Sequence, residues 1–214
     1  MKIKYWIYCF TVALWMFATA VYAADCEKAL FGWTSRNGHH TAGVFGNEGG
    51  FQNLKSDRGN FNAKTGKNCG GTNYGLSCRS YPGLNIRLLT KERAATIYHD
   101  DQWAAIKGDR AAGQYIAYKV FDLGINMGTG SAIIILEQTI NELNDTQTDF
   151  PLIGHITDAH WDWVNAYTRD RTQRQLFIAT LKLKAMHRYL TIAKKNPKMK
   201  TFLVTWGMRD LEDD

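Results

Sequence analysis

The sequence predicts a mainly helical α+β protein: a helical bundle with a small β-hairpin beside a glycine-rich segment, followed by a C-terminal helical subdomain. Three observations predict this. Only three prolines interrupt the 214 residues. Long segments repeat apolar residues at three- and four-residue spacing, the period of an amphipathic helix. One stretch, Phe51 to Ser80, loses that period and is dominated by Gly, Asn, Asp and Ser, the composition of loop and turn.

The chain opens with Lys2 and Lys4 ahead of an apolar run from Tyr5 to Val21, closed by Val21-Tyr22-Ala23. This is the make-up of a secretory signal peptide, residues 1–23, and predicts a periplasmic or secreted protein. The run is short for a membrane span, so contact with a membrane is expected only through this segment if it stays uncleaved. Asp25 precedes Cys26 where lipoprotein processing requires a small residue, which argues against lipidation. The segment carries two lysines and no acid, so its removal lowers the net charge from +6 to +4. A modest positive balance suits an anionic polymer, and export makes cell wall the available one. The lysines are dispersed rather than gathered in a basic arm, so no nucleic-acid partner is expected.

In the remaining chain, Cys26 to Trp33 and Thr41 to Asn47 read as short helical pieces, the second ended by Gly49 and Gly50. A small hairpin is expected around Thr72 to Cys78. Thr90 offers an N-cap for a helix from Lys91 to Trp103, with Glu92 in its first turn. Gln114 to Met127 is apolar nearly all round and predicts a buried central helix. Gly128-Thr129-Gly130 leads into a helix from Ser131 to Leu143. The polar stretch Asn144 to Asp149, with Pro151, is the best boundary, dividing a unit of residues 24–143 from one of 144–214. Beyond it come Asp158 to Tyr167, a long amphipathic segment from Thr172 to Lys194, and a last piece from Lys198 to Met208.

Asn47-Glu48-Gly49-Gly50-Phe51 places one carboxylate at the mouth of a glycine turn, followed by Gly70-Gly71-Thr72-Asn73-Tyr74-Gly75-Leu76. Glycoside hydrolysis uses such a carboxyl, because one acid must give its proton to the leaving oxygen. Phe45 and Phe51 are expected to desolvate Glu48, as a proton donor requires. Gly49 would let a bulky sugar approach the backbone closely. The plain alternative is a Glu and two glycines at a helix end. Cys69 and Cys78 bracket Thr72-Asn73-Tyr74; a disulfide would brace that segment, against a plain reading of two reduced thiols. Cys26 is then the odd one out. No Cys-x-x-Cys or His-Glu-x-x-His spacing occurs, and the six histidines form no pattern, so neither a metal nor a cofactor is expected.

Glu48-Gly49-Gly50-Phe51 with Gly70-Gly71-Thr72-Asn73-Tyr74-Gly75-Leu76-Ser77 resembles the signature of glycoside hydrolase family 108, peptidoglycan muramidases with a lysozyme-like fold. Ile97-Tyr98 through Trp103 and Phe121-Asp122-Leu123-Gly124-Ile125-Asn126-Met127-Gly128 resemble two further family helices, in the family's order. Ile153-Gly154, Arg188-Tyr189 and Phe202 to Arg209 resemble, more loosely, the predicted peptidoglycan-binding domain that follows this module; Trp206 and Gly207 stand in reversed order. The resemblance implies that Glu48 is the catalytic acid and that peptidoglycan glycan strands are the substrate; an inhibitor or immunity protein is a further candidate partner, expected if the biological role is that of a toxin. A lytic transglycosylase and a non-catalytic wall-binding module are the alternatives, since a lone acid/base Glu also serves transglycosylation.

A second catalytic group is needed to activate water or stabilise the oxocarbenium-like centre. Asp57 resembles the spaced Asp that follows the catalytic Glu in some lysozyme-like enzymes, and Thr72 is placed to hold a water. The insert Asn60 to Asn68 departs from the family's shorter spacing, and the plain reading of Asp57 is the cap of a surface turn. Asp122 and Asn126, four apart on one helix face, either brace the Glu48 turn or line the sugar site. Asn73 is expected to line it with them. Tyr74, Tyr98 and Trp103 are candidate stacking surfaces for pyranose rings, with core packing as the plain reading.

Overall fold

The computed structural model describes residues 23–36, 38–146, 149–204 and 207. Apart from Ala23, the expected signal peptide lies outside the described residues, as do Trp206 and Arg209. Helix α1 spans Cys26–Phe31 and is capped by the Asp25 carboxylate, which accepts from the backbone of Glu27 and Lys28. The sequence reading carried this helix on to Trp33. It stops at Phe31 because Gly32 turns to a φ of 91°, and Trp33 and Thr34 pair instead with His40 and Thr41 as the antiparallel strands β1 (Trp33–Thr34) and β2 (His40–Thr41). Consequently the helical piece expected from Thr41 shrinks to α2, Val44–Asn47, entered through Gly43 at φ 69°.

Strands β3 (Thr72–Asn73) and β4 (Leu76–Ser77) form the expected hairpin. Helix α3 covers Lys91–Tyr98, with the Thr90 hydroxyl accepting from Arg93 N at 3.2 Å, a cap worth about 1 kcal/mol. The expected continuation to Trp103 is a wider π-type turn, His99–Trp103. An extra residue in a turn rotates the downstream residues by about 100°. Here Trp103 faces the core, its indole N–H donates to Asp109 at 2.8 Å, and Gly108 leaves no room for a Cβ beneath the ring.

Helix α4, Gln114–Met127, is the buried centre, with ten consecutive residues from Tyr115 to Gly124 out of solvent. Gly128, at φ 89°, ends it and α5 comes at once over Thr129–Leu143. Helices α6 (Asp158–Tyr167) and α7 (Arg171–Lys195) complete the bundle. The hydrophobic core is continuous across the polar 144–151 connection. Asn141 clasps that connection by a reciprocal pair with the Phe150 backbone, both bonds at 2.8 Å. The Trp161 indole donates to Ile106 O at 2.7 Å, and Asn165 bridges Arg110 O and Ala112 N.

One buried pair gives this junction a pH response. Glu137 on α5 and His160 on α6 are both out of solvent, with Oε1 and Nε2 3.6 Å apart. His160 Nδ1 accepts from Thr157 N at 3.0 Å, which leaves the proton of the neutral ring on Nε2, towards Glu137. Desolvation of the ring outweighs the attraction of Glu137, so the imidazole titrates below its ordinary value. A depressed folded value means that the unfolded chain takes up the proton first. The pair's stabilisation is therefore full above about pH 6.5 and is lost as pH falls through the folded value. We expect the thermal midpoint to fall more steeply as the pH drops below about 6.5 than in His160→Gln, as followed by circular dichroism.

Candidate active site

Glu48 terminates α2. Its N–H still bonds Val44 O at 2.9 Å, but its backbone is already extended, with φ −91° and ψ 133°. The chain then runs antiparallel to β3: Tyr74 N donates to Gly49 O at 3.2 Å, and Gln52 and Thr72 exchange both backbone bonds at 2.8 and 2.9 Å. Residues 49–52 thus lie beside the β3–β4 hairpin. Its two-residue tip, Tyr74-Gly75, has φ of 49° and 79°, the double positive φ of a type I′ turn. The tip closes on the half-buried Glu48 side chain. A Cβ at Gly75 would stand 2.8 Å from Glu48 Oε2 and would run into the Tyr98 hydroxyl. That hydroxyl donates to Tyr74 O at 2.9 Å and fixes the tip in place.

Thr72 and Tyr74, two apart, are both half-exposed, whereas Asn73 between them turns inward. Thr72 Oγ donates to Asn60 Oδ1 at 2.8 Å and approaches Asp57 Oδ2 at 3.5 Å. The Gln52 side-chain amide donates to the same Asp57 oxygen, and its carbonyl accepts from Asn60 at 2.8 Å. The other Asp57 oxygen accepts from Gly59 N at 2.8 Å, capping the 3₁₀ turn Arg58–Asn60. Asp57 therefore both caps a turn and faces Thr72. Thr72 and Gly75 belong to the same hairpin, so this cluster and the Glu48 carboxylate both lie against the β3–β4 ribbon.

Two ties hold the hairpin. Cys69 and Cys78 form a disulfide, and the Asn73 amide reaches the carbonyls of Ile86 and Leu89 at 3.2 and 3.3 Å. A loop of this length contributes about 2–3 kcal/mol through the unfolded chain. A Cys69→Ser/Cys78→Ser chain is therefore expected to lose about that much in a denaturant titration. Cys26 remains a free buried thiol, its pKa pushed up to about 12 by burial and by nearby carboxylates, Asp109 foremost, which makes it unreactive.

Several expected substrate contacts are corrected by burial. Tyr98 and Trp103 are each 1% exposed and stack edge-on against Phe121, so neither offers a ring face to a sugar. Asn73 is buried because the carbonyls of the 86–89 turn need its donor. Asp122 is buried within α4 and accepts from Asn126 at 3.4 Å, which makes it a support. Asn126 and Tyr74 stay half-exposed, and Gly49 is exposed beside Glu48. Phe45 packs against Tyr74 and Tyr98, the residues of and behind the hairpin tip. The Phe51 ring lies under Arg87 and against Gly71. The sequence reading missed Gln52, Asn60 and the pairing of Asn47 with the Tyr118 hydroxyl at 3.3 Å. Gln52, four residues after Glu48 in an extended segment, was the one readable by alternation.

This glycine-hemmed carboxylate, facing a hairpin tip, falls within residues 41–128, which match the model of the family described as Glycosyl hydrolase 108. That stretch is a glycosyl hydrolase 108 domain. The glycosyl hydrolase 108 domain makes the protein a glycoside hydrolase of the muramidase type, with a lysozyme-like, peptidoglycan-hydrolysing function. It begins at β2 and ends with α4, so the peptidoglycan-binding resemblance of the C-terminal helices lies outside it. Among solved structures, Brucella abortus SagA is similar in fold, with a TM-score of 0.53 at 20% identity, covering 78% of this chain and 89% of that one. No curated protein matches the chain.

Proposed function

We propose that the protein is an exported muramidase that hydrolyses the β-1,4 bond between N-acetylmuramic acid and N-acetylglucosamine, with Glu48 as general acid. The observation that carries this reading is the closure of the Tyr74-Gly75 tip on the Glu48 carboxylate, within the matched family segment. Glu48 gives its proton to the glycosidic oxygen as the bond to the muramic anomeric carbon breaks. A water held by the Thr72 hydroxyl and Asp57 adds to that carbon, and its second proton passes to the Asp57 carboxylate. Export is supported by Lys2, Lys4 and the apolar run ending at Ala23.

Mass spectrometry of sacculi after digestion tests bond and reaction together. Reducing N-acetylmuramic acid ends are expected. Anhydro-muramyl ends would make the enzyme a lytic transglycosylase, and binding without released fragments would make it a wall-binding module.

A further inference from the structure

Helix α7 carries Arg171, Arg174, Lys182, Lys184, Arg188, Lys194 and Lys195 and no acidic residue. One face is core, with Phe177, Ile178, Leu181, Ala185, Tyr189 and Ala193 buried. The opposite face carries, among polar residues that include the exposed His187, three leucines: Leu176, Leu183 and Leu190 are 49%, 69% and 52% exposed. Seven residues are nearly two turns, and the line drifts by only about 20° per step, so the three leucines form one strip along the helix. Single exposed leucines are ordinary, but an aligned row on a cationic helix is not.

The cations flank this strip. Lys194 continues its line, and Arg188 and Lys195 are exposed on the side facing α5. There a groove of about 240 Å³ opens between α5 and α7, its polar lining including Ser131, Gln138, Lys184, Arg188 and Thr191. Lys184 is partly engaged by Glu142 at 2.9 Å, which leaves Arg188 as the groove's main cation. A hydroxyl, an amide and a guanidinium line it, donor types from which phosphate oxygens accept.

We propose that this face of α7 docks on an anionic lipid bilayer, the leucines entering the headgroup–acyl boundary and Arg188, Lys194 and Lys195 meeting lipid phosphates. Charge complementarity selects an anionic partner. The leucine strip selects a bilayer over a hydrated polyanion, which has nothing apolar to offer it. This contact is separate from any made by the N-terminal apolar segment. It lies outside the Glu48 site, so it stands or falls independently of the reaction.

The test uses the chain from Ala24, which keeps every helix and strand described above. Its co-sedimentation is measured with vesicles of equal parts phosphatidylglycerol and phosphatidylethanolamine, and with phosphatidylcholine vesicles. Binding to the anionic vesicles is expected to exceed binding to the neutral ones at least about tenfold, and to weaken strongly at about 0.5 M salt. Leu183→Ser/Leu190→Ser and Lys194→Glu/Lys195→Glu are each expected to lose about tenfold, with unchanged thermal unfolding and unchanged wall lysis. Equal binding to both vesicles, or none to either, overturns the proposal. So does full binding by the serine variant, which would indicate a purely electrostatic, polyanion-type surface. A wild-type dimer in light scattering that the serine variant dissociates would instead assign the strip to a second copy of the chain.

Discussion

Glu48→Gln is expected to lower the rate of sacculus lysis by about 10²–10⁴-fold while leaving thermal unfolding within experimental error. The amide keeps the shape and polarity of the side chain, so the Tyr74-Gly75 tip has no steric reason to move. What it lacks is a transferable proton, and departure of a sugar alkoxide without protonation is the costly half of the reaction. Asp57, by contrast, also caps a turn. Asp57→Asn serves as the contrast: it is expected to lose both activity and stability, because one of its oxygens holds the Arg58–Asn60 turn. Zymograms on purified sacculi, paired with melting curves, separate the two. Undiminished lysis by Glu48→Gln would remove Glu48 from the mechanism.

Gly75→Ala is expected to be nearly as damaging, although no chemistry is removed. The added methyl would stand 2.8 Å from Glu48 Oε2 and press on the Tyr98 hydroxyl, and the site's φ of 79° disfavours any L side chain. Relief requires either the hairpin tip to lift from Tyr98 or the carboxylate to swing aside. Displacing a proton donor by about 1 Å is enough to cost on the order of 10²-fold in rate. The same strain is expected to cost about 1–2 kcal/mol of stability. A tip that tolerated alanine with full activity would show that the closeness of Gly75 to Glu48 is not needed for catalysis.

The long helices were legible because their periods are unambiguous: α4 matches its expected limits of Gln114 and Met127, and α6 those of Asp158 and Tyr167. The β1–β2 pairing was not, since two-residue strands carry no period and the turning residue, Gly32, reads equally as a helix end. The π-type turn at His99–Trp103 was invisible for a related reason: its sequence is that of an ordinary helix, and tertiary packing of Trp103 decides it. In the site, Glu48 and the hairpin were readable from glycine placement. Burial was not. Asn73, Tyr98 and Trp103 belong to types equally at home in a sugar cleft and in a core, and only the third dimension tells which.

The reciprocal bond between Asn141 and Phe150 ties the two ends of the polar connection to each other. The two sides are joined by the shared core and by Trp161 and Asn165 reaching back to residues 106–112. A protease cut after Asp145 is thus expected to yield two fragments that elute together in native gel filtration, part only in denaturant, and retain wall lysis. In that sense the C-terminal helices are less an appendage than the back wall against which the catalytic half is folded.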